Sequence, residues 1–142
     1  MKKNGFTLIE VMMVMAFVAI LAVLSSPFYG RFIFSQEVSV ARDELRGSFA
    51  KAQTYSMTGK NDASWGVAFR DKKIILFQGN SFVERNQAFD ESFVVHSRVA
   101  LAGFDEVVFA RTTGRPSIEP TITLSGNETT EILQMNSEGV VR

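Results

Sequence analysis

The stretch KNGFTLIEVMMVMAFVAILAVL, residues 3–24, decides how this chain is read. Lys2 and Lys3 form a short basic flank, Gly5 follows, and from Val11 to Gly30 no charged side chain occurs. A helix of about 20 apolar residues, rising about 1.5 Å per residue, matches roughly 30 Å of hydrocarbon. Lysines ahead of such a run favour a cytoplasmic N-terminus. The run alone therefore predicts a single pass through the cytoplasmic (inner) membrane, with the lipid bilayer as a partner and the C-terminal domain extracytoplasmic.

Glu10 does not fit a simple anchor. A carboxylate inside a spanning helix costs about 2.5–3.5 kcal/mol at its centre and less toward an end. A cleaved signal peptide explains the lysines and the apolar core, but Ser25 and Ser26 make a poor cleavage site beyond it. The other reading gives Glu10 a cation. If the chain is cut after Gly5, Phe6 carries a new amine and Glu10 becomes the fifth residue. In a staggered bundle the carboxylate of one copy then meets the ammonium of its neighbour, and a lone charge pair in apolar surroundings fixes axial register. On the residues alone, anchor, signal and assembly helix all stay open.

The block resembles the class III signal of type IV pilins and type II secretion pseudopilins: basic flank, glycine, phenylalanine, threonine-leucine-isoleucine, glutamate, then an apolar helix. The resemblance implies that a prepilin peptidase cuts between Gly5 and Phe6 and N-methylates Phe6, that Glu10 and Phe6 serve assembly, and that Pro27 loosens the helix. Proline removes a backbone donor and crowds the preceding turn, and Gly30 adds a second soft point. The implied partners are other pilins or pseudopilins through the N-terminal helix, the peptidase and an inner-membrane assembly platform, with the subunit ending in a pilus or pseudopilus.

Beyond Gly30 the pattern turns amphipathic. Val38, Ala41, Leu45, Phe49 and Ala52 recur at helical spacing among Arg42, Asp43, Glu44, Arg46, Lys51 and Gln53. A helix over Thr7–Thr58 follows, stopped by Gly59-Lys60-Asn61. The expected organisation is a leader at 1–5, a transmembrane and filament-core helix at 6–30, its amphipathic continuation at 31–59, and a β-rich domain at 60–142. Strands are expected at Trp65–Arg70 and Lys73–Phe77 around the Asp71-Lys72 turn. Further ones are expected at Ser81–Asn86, Phe93–Leu101, Asp105–Ala110, Pro120–Ser125, Glu131–Asn136 and Val140–Arg142. Gly114, Pro116 and Pro120 make Thr112–Pro120 a loop. One apolar helical stripe followed by short turn-linked strands predicts an α+β domain with the helix packed on mainly antiparallel sheet. VAFRDKK, VVFARTTGRP and EILQMNSEGVV resemble the GspH/FimT group of minor pilins and pseudopilins, with the arginine-rich last turn matched only by GVVR.

The composition points away from chemistry. The 142 residues carry 15 basic and 15 acidic side chains and no cysteine, which excludes disulfides, thiolate clusters and a cysteine nucleophile. His96 is the single histidine and is expected as an ordinary strand residue. Asp90-Glu91 and Asp105-Glu106 lack the spacing of a calcium loop, though some pseudopilins of this family bind calcium. Lys60, Lys72, Lys73, Arg85, Arg98, Arg111 and Arg115 are scattered, so nucleic acid finds no support as a partner beyond the DNA contacts of some competence-related minor pilins. No catalytic residue, metal or cofactor is expected, and the chain is not expected to be an enzyme. The function implied is that of a minor pilin assisting filament initiation and assembly. The alternatives are a type II secretion pseudopilin, or a minor pilin that binds DNA or a surface.

Overall fold

The computed structural model describes residues 6–126 and 129–142, and for residues 24–35 it describes the backbone alone. The chain divides into two compact units, Met1–Ile33 and Phe34–Arg142.

Helix α1 runs over Leu8–Met57. Thr7 starts it: its carbonyl accepts the Glu10 and Val11 amides at 3.1 and 3.2 Å, and its hydroxyl accepts the Glu10 amide at 3.4 Å. TLIE is thus the threonine-to-glutamate spacing of a capping box, with the hydroxyl arm present. At the far end the left-handed Gly59 (φ 65°) turns the chain out of the helix, as expected from its freedom at positive φ. Pro27 and Gly30 lie within α1, where only the backbone is described.

In the second unit α1 covers two antiparallel sheets. The first has the order β3-β2-β1-β5, from β1 (Trp65–Arg70), β2 (Lys73–Gln78), β3 (Asn86–Val94) and β5 (Glu106–Phe109). The second has the order β4-β6-β7, from β4 (Ala100–Ala102), β6 (Thr121–Ser125) and β7 (Thr130–Gln134). The β1–β2 hairpin closes at Arg70↔Lys73 through Asp71 and Lys72, both at positive φ (50° and 60°), the turn that matches the twist of its strands. The amphipathic stripe read from the sequence becomes one core: Val38, Ala41, Leu45, Phe49 and Ala52 pack with Trp65, Val67, Ile74, Leu76, Val107 and Phe109 of the first sheet. Leu101, Ile122, Leu124 and Leu133 of the second sheet join the same core. This is an α+β architecture with one long N-terminal helix packed against multi-stranded antiparallel sheet.

Three strand expectations are corrected. Ser81–Asn86 is a loop, because Phe82 turns onto Phe77 (ring centroids 5.6 Å apart) and Arg85 stacks over Phe82 at 3.7 Å while pairing with Asp90 at 2.8 Å. These contacts fold the segment back, and the strand begins only at Asn86. The expected strand at Phe93–Leu101 is interrupted after Val94: the Val99 amide donates to the His96 carbonyl at 2.9 Å, and β4 starts at Ala100. His96 therefore lies in a turn. The last residues make a single bridge, Met135↔Val141, with Gln134 and Arg142 exchanging backbone hydrogen bonds at 2.9 Å.

The membrane placement is also corrected. Among the described residues no helix is long and apolar enough to cross a membrane, which overturns the single-pass inner-membrane topology. The apolar stretch of α1 carries Glu10 in its first turn, a charge that a spanning helix bears only at a cost.

Candidate functional site

The N-terminal stretch of α1 is apolar on every side. From Phe6 (81 % exposed) to Val23 (74 %) each large apolar side chain faces outward, and the least exposed of them, Val11, is still 48 % exposed. A helix that buries one stripe within its own domain keeps polar residues on the other face. Here Leu8, Ile9, Val11, Met12, Met13, Val14 and Met15 occupy successive angular positions, so no polar face exists. Such a surface is completed by surroundings that are themselves apolar.

Glu10 interrupts this surface one helical turn after Phe6 and is exposed. Its amide is held by Thr7, so the first turn is ordered around the acid. The helix N-terminus already favours a carboxylate there through the partial positive charge of its free amides. Glu10 thus has a local role in starting the helix besides any role toward a neighbour. Gly5 lies outside the described residues, and so does the peptide bond between it and Phe6.

The other candidates fall apart as sites. His96 Nδ1 lies 3.2 Å from Glu37 Oε2, and an Arg98 nitrogen lies 3.8 Å from Glu37 Oε1, which ties the turn after β3 to α1. Asp90 and Glu91 point to different partners: Asp90 pairs with Arg85, and Glu91 pairs with Lys51 of α1. The hydrogen bond to Glu91 is the main cause that holds the Lys51 ammonium above its usual pKa. Asp105 takes Arg70 at 3.1 Å, while Glu106 accepts the Phe82 amide at 3.0 Å. Among the described residues no group of three His, Cys, Asp or Glu is placed to hold a metal.

The basic residues singled out from the sequence do not converge either. Lys60 lies over the Tyr55 ring at 3.6 Å, Lys72 donates to the Val99 carbonyl at 3.0 Å, and Arg111 pairs with Asp62 at 2.6 Å.

Several contacts carry no local sequence signal. Arg42 reaches Glu131 at 3.0 Å, and the Gln53 amide donates to the Gly114 carbonyl at 3.0 Å and to the Glu138 carbonyl. Together they fasten α1 to β7 and to two loops that are remote in sequence. The arginine's pKa is raised first by its hydrogen bond to Asp43 and further by the charge of Glu131.

Residues 1–28 match the prokaryotic N-terminal methylation motif, which is characteristic of type IV pilin-like proteins in general. No curated protein and no solved structure matches the chain. The motif and the helix-on-sheet fold together make the chain a pilin- or pseudopilin-like structural subunit.

Proposed function

We propose that the protein is a minor pilin of a type IV pilus, which helps start and extend the filament after a prepilin peptidase removes residues 1–5 and methylates the Phe6 amine. The observation that carries this reading is the all-round apolar exposure of α1 from Phe6 to Val23 with a single acid, Glu10, in its first turn. Burying a valine, leucine, isoleucine or methionine side chain contributes about 1.5–3 kcal/mol. A bundle of such helices from neighbouring subunits therefore gains substantially from association. Apolar contacts alone leave the axial offset between helices undetermined. The pairing of Glu10 in one subunit with the Phe6 ammonium of the next selects one offset, because a misaligned helix leaves a carboxylate buried and unpaired.

The chain's own residues divide the work. Gly5 and Phe6 present the bond to be cut, Thr7 and Glu10 order the first turn, and the apolar residues up to Val23 form the bundle surface. The partners in this reading are other pilins, the peptidase, and the platform and ATPase that drive assembly. Intact-mass analysis of the chain from sheared filaments tests the processing step. The expected mass lacks MKKNG and includes one added methyl group. A chain that retains residues 1–5 in filaments overturns the reading.

A further inference from the structure

The two flanks of α1 in the globular unit differ in chemistry. On one flank Glu44, Gly47 and Lys51 form a cleft with Glu91 and Phe93 at the β3 edge of the first sheet. On the other flank Arg46, Ala50 and Gln53 form a cleft with Val140 and Val141 near the end of the chain. Residues two apart on a helix point to opposite sides, so Glu44 and Arg46 belong to different flanks of the same ridge.

Their neighbours on the helix are paired within the chain, Arg42 with Asp43 and Glu131, and Lys51 with Glu91. Glu44 and Arg46 have no hydrogen-bond or ion-pair partner among the described residues. Gly47 directly follows Arg46, lines the cleft that holds Glu44 and is exposed, and a Cβ added there would meet nothing within 4 Å. A glycine in a helix interior costs stability relative to alanine. Nothing in the chain's own packing calls for this one, and a missing side chain on an open ridge lets another backbone approach closely.

We infer that these flanks are the two halves of a contact between copies of this chain standing side by side, with Glu44 of one copy pairing with Arg46 of the next across the gap that Gly47 leaves open. Both halves lie on one chain and are opposite in charge, so a second copy suffices as the occupant. A contact that joins two different patches does not close on itself, so copies can follow one another wherever two or more stand in succession along a filament. The contact rests on the reading that the chain assembles through α1.

The test uses the full chain in cells that make the filament. Glu44→Arg and Arg46→Glu are each expected to lower incorporation into sheared filaments several-fold, and the double reversal is expected to restore it. Thermal unfolding of the variants checks that the domain is intact, and rescue by the double reversal excludes a general folding defect. A second arm exploits the absence of cysteine. Glu44→Cys and Arg46→Cys are produced together and the filaments are treated with a short bis-maleimide, because the backbones of a glutamate–arginine pair stand beyond the reach of a disulfide. Dimers are expected with both variants present and with neither alone. Unaltered incorporation of the single reversals, failure of the double reversal to rescue, dimers from one variant alone, or cross-linking only to a different pilin would each overturn the contact. Glu10→Gln separates the two levels. If that variant assembles normally, the assembly reading itself fails; if it does not assemble while the flank reversals do, the flank contact alone falls.

Discussion

Helix α1 contains two stretches whose apolar residues meet opposite outcomes. Between Val38 and Ala52 the apolar residues recur on one stripe, and every one of Val38, Ala41, Leu45, Phe49 and Ala52 is buried within the chain. Between Leu8 and Val23 they occupy all angular positions, and the large ones are exposed. The difference lies in periodicity. A single stripe can be satisfied by one sheet surface, whereas a helix that is apolar all round needs neighbours on all sides. The stripe from Val38 to Ala52 is covered by the chain itself, while the large apolar side chains from Leu8 to Val23 are left exposed. Each stretch should therefore respond to substitution through a different measurement.

The largest effect is expected in the buried stripe. Phe49 stacks near Phe104 and Phe109, with ring centroids 5.5 and 6.2 Å away. Phe49→Ala should destabilise the domain by about 3–5 kcal/mol, read by denaturant unfolding of the full chain. Met12→Ala, at an exposed position between Leu8 and Val23, should leave the unfolding midpoint unchanged and lower incorporation into filaments. A clear stability loss from Met12→Ala would mean that the apolar stretch already has a partner within the chain.

A smaller effect sharpens the account of how the stripe is held. Ser56 is fully buried, and its hydroxyl accepts the Trp65 amide at 2.9 Å where β1 begins. Ser56→Ala leaves that amide without its partner and should cost about 1–3 kcal/mol in the same unfolding experiment. A change below the error of the measurement would contradict the view that this hydroxyl ties the helix end to the first sheet.

The smallest effect belongs to the rim. Lys51 and Glu91 are 41 % and 52 % exposed, so solvent screens their pair, and Glu91→Gln should cost about 1 kcal/mol or less. The ammonium's pKa is raised above 10.5 in the folded chain by the hydrogen bond to Glu91. The pair's contribution is therefore fully present below the unfolded lysine's pKa and is lost as pH rises through the folded value. Unfolding of wild type and Glu91→Gln should differ by a constant amount at neutral pH and converge in strong alkali. A difference that persists unchanged into strong alkali would contradict the pairing of Glu91 with the Lys51 ammonium.

Much of this organisation is legible in the residues. The glycine-phenylalanine-glutamate block, the helical stripe from Val38 to Ala52, the Asp71-Lys72 hairpin and the pairing segments around β6 and β7 all follow from local pattern. The capping box in TLIE is equally local and is visible once Thr7 and Glu10 are taken together. Ser81–Asn86 misleads because it follows the Gln78-Gly79-Asn80 turn as a returning strand would, while Phe82 and Arg85 are claimed by Phe77 and Asp90. Arg42–Glu131 and the double clamp by Gln53 join positions 89, 61 and 85 residues apart, and no local pattern marks such pairs. The division of α1 into a self-satisfied and an unsatisfied stretch is legible as a change of period. The partner that completes the second stretch is not written in it.

The role of Glu10 is the point on which the assembly account stands. Glu10→Gln keeps a side chain that serves the capping box and removes only the negative charge. Filament incorporation of this variant, measured against total processed chain and beside Glu10→Ala, tests the account most directly. If the acid sets register by pairing with the Phe6 ammonium, both variants are processed normally and both fail to enter filaments. If Glu10→Gln enters filaments as wild type does while Glu10→Ala does not, the residue serves only to start its own helix, and the charge-pair account of assembly is contradicted.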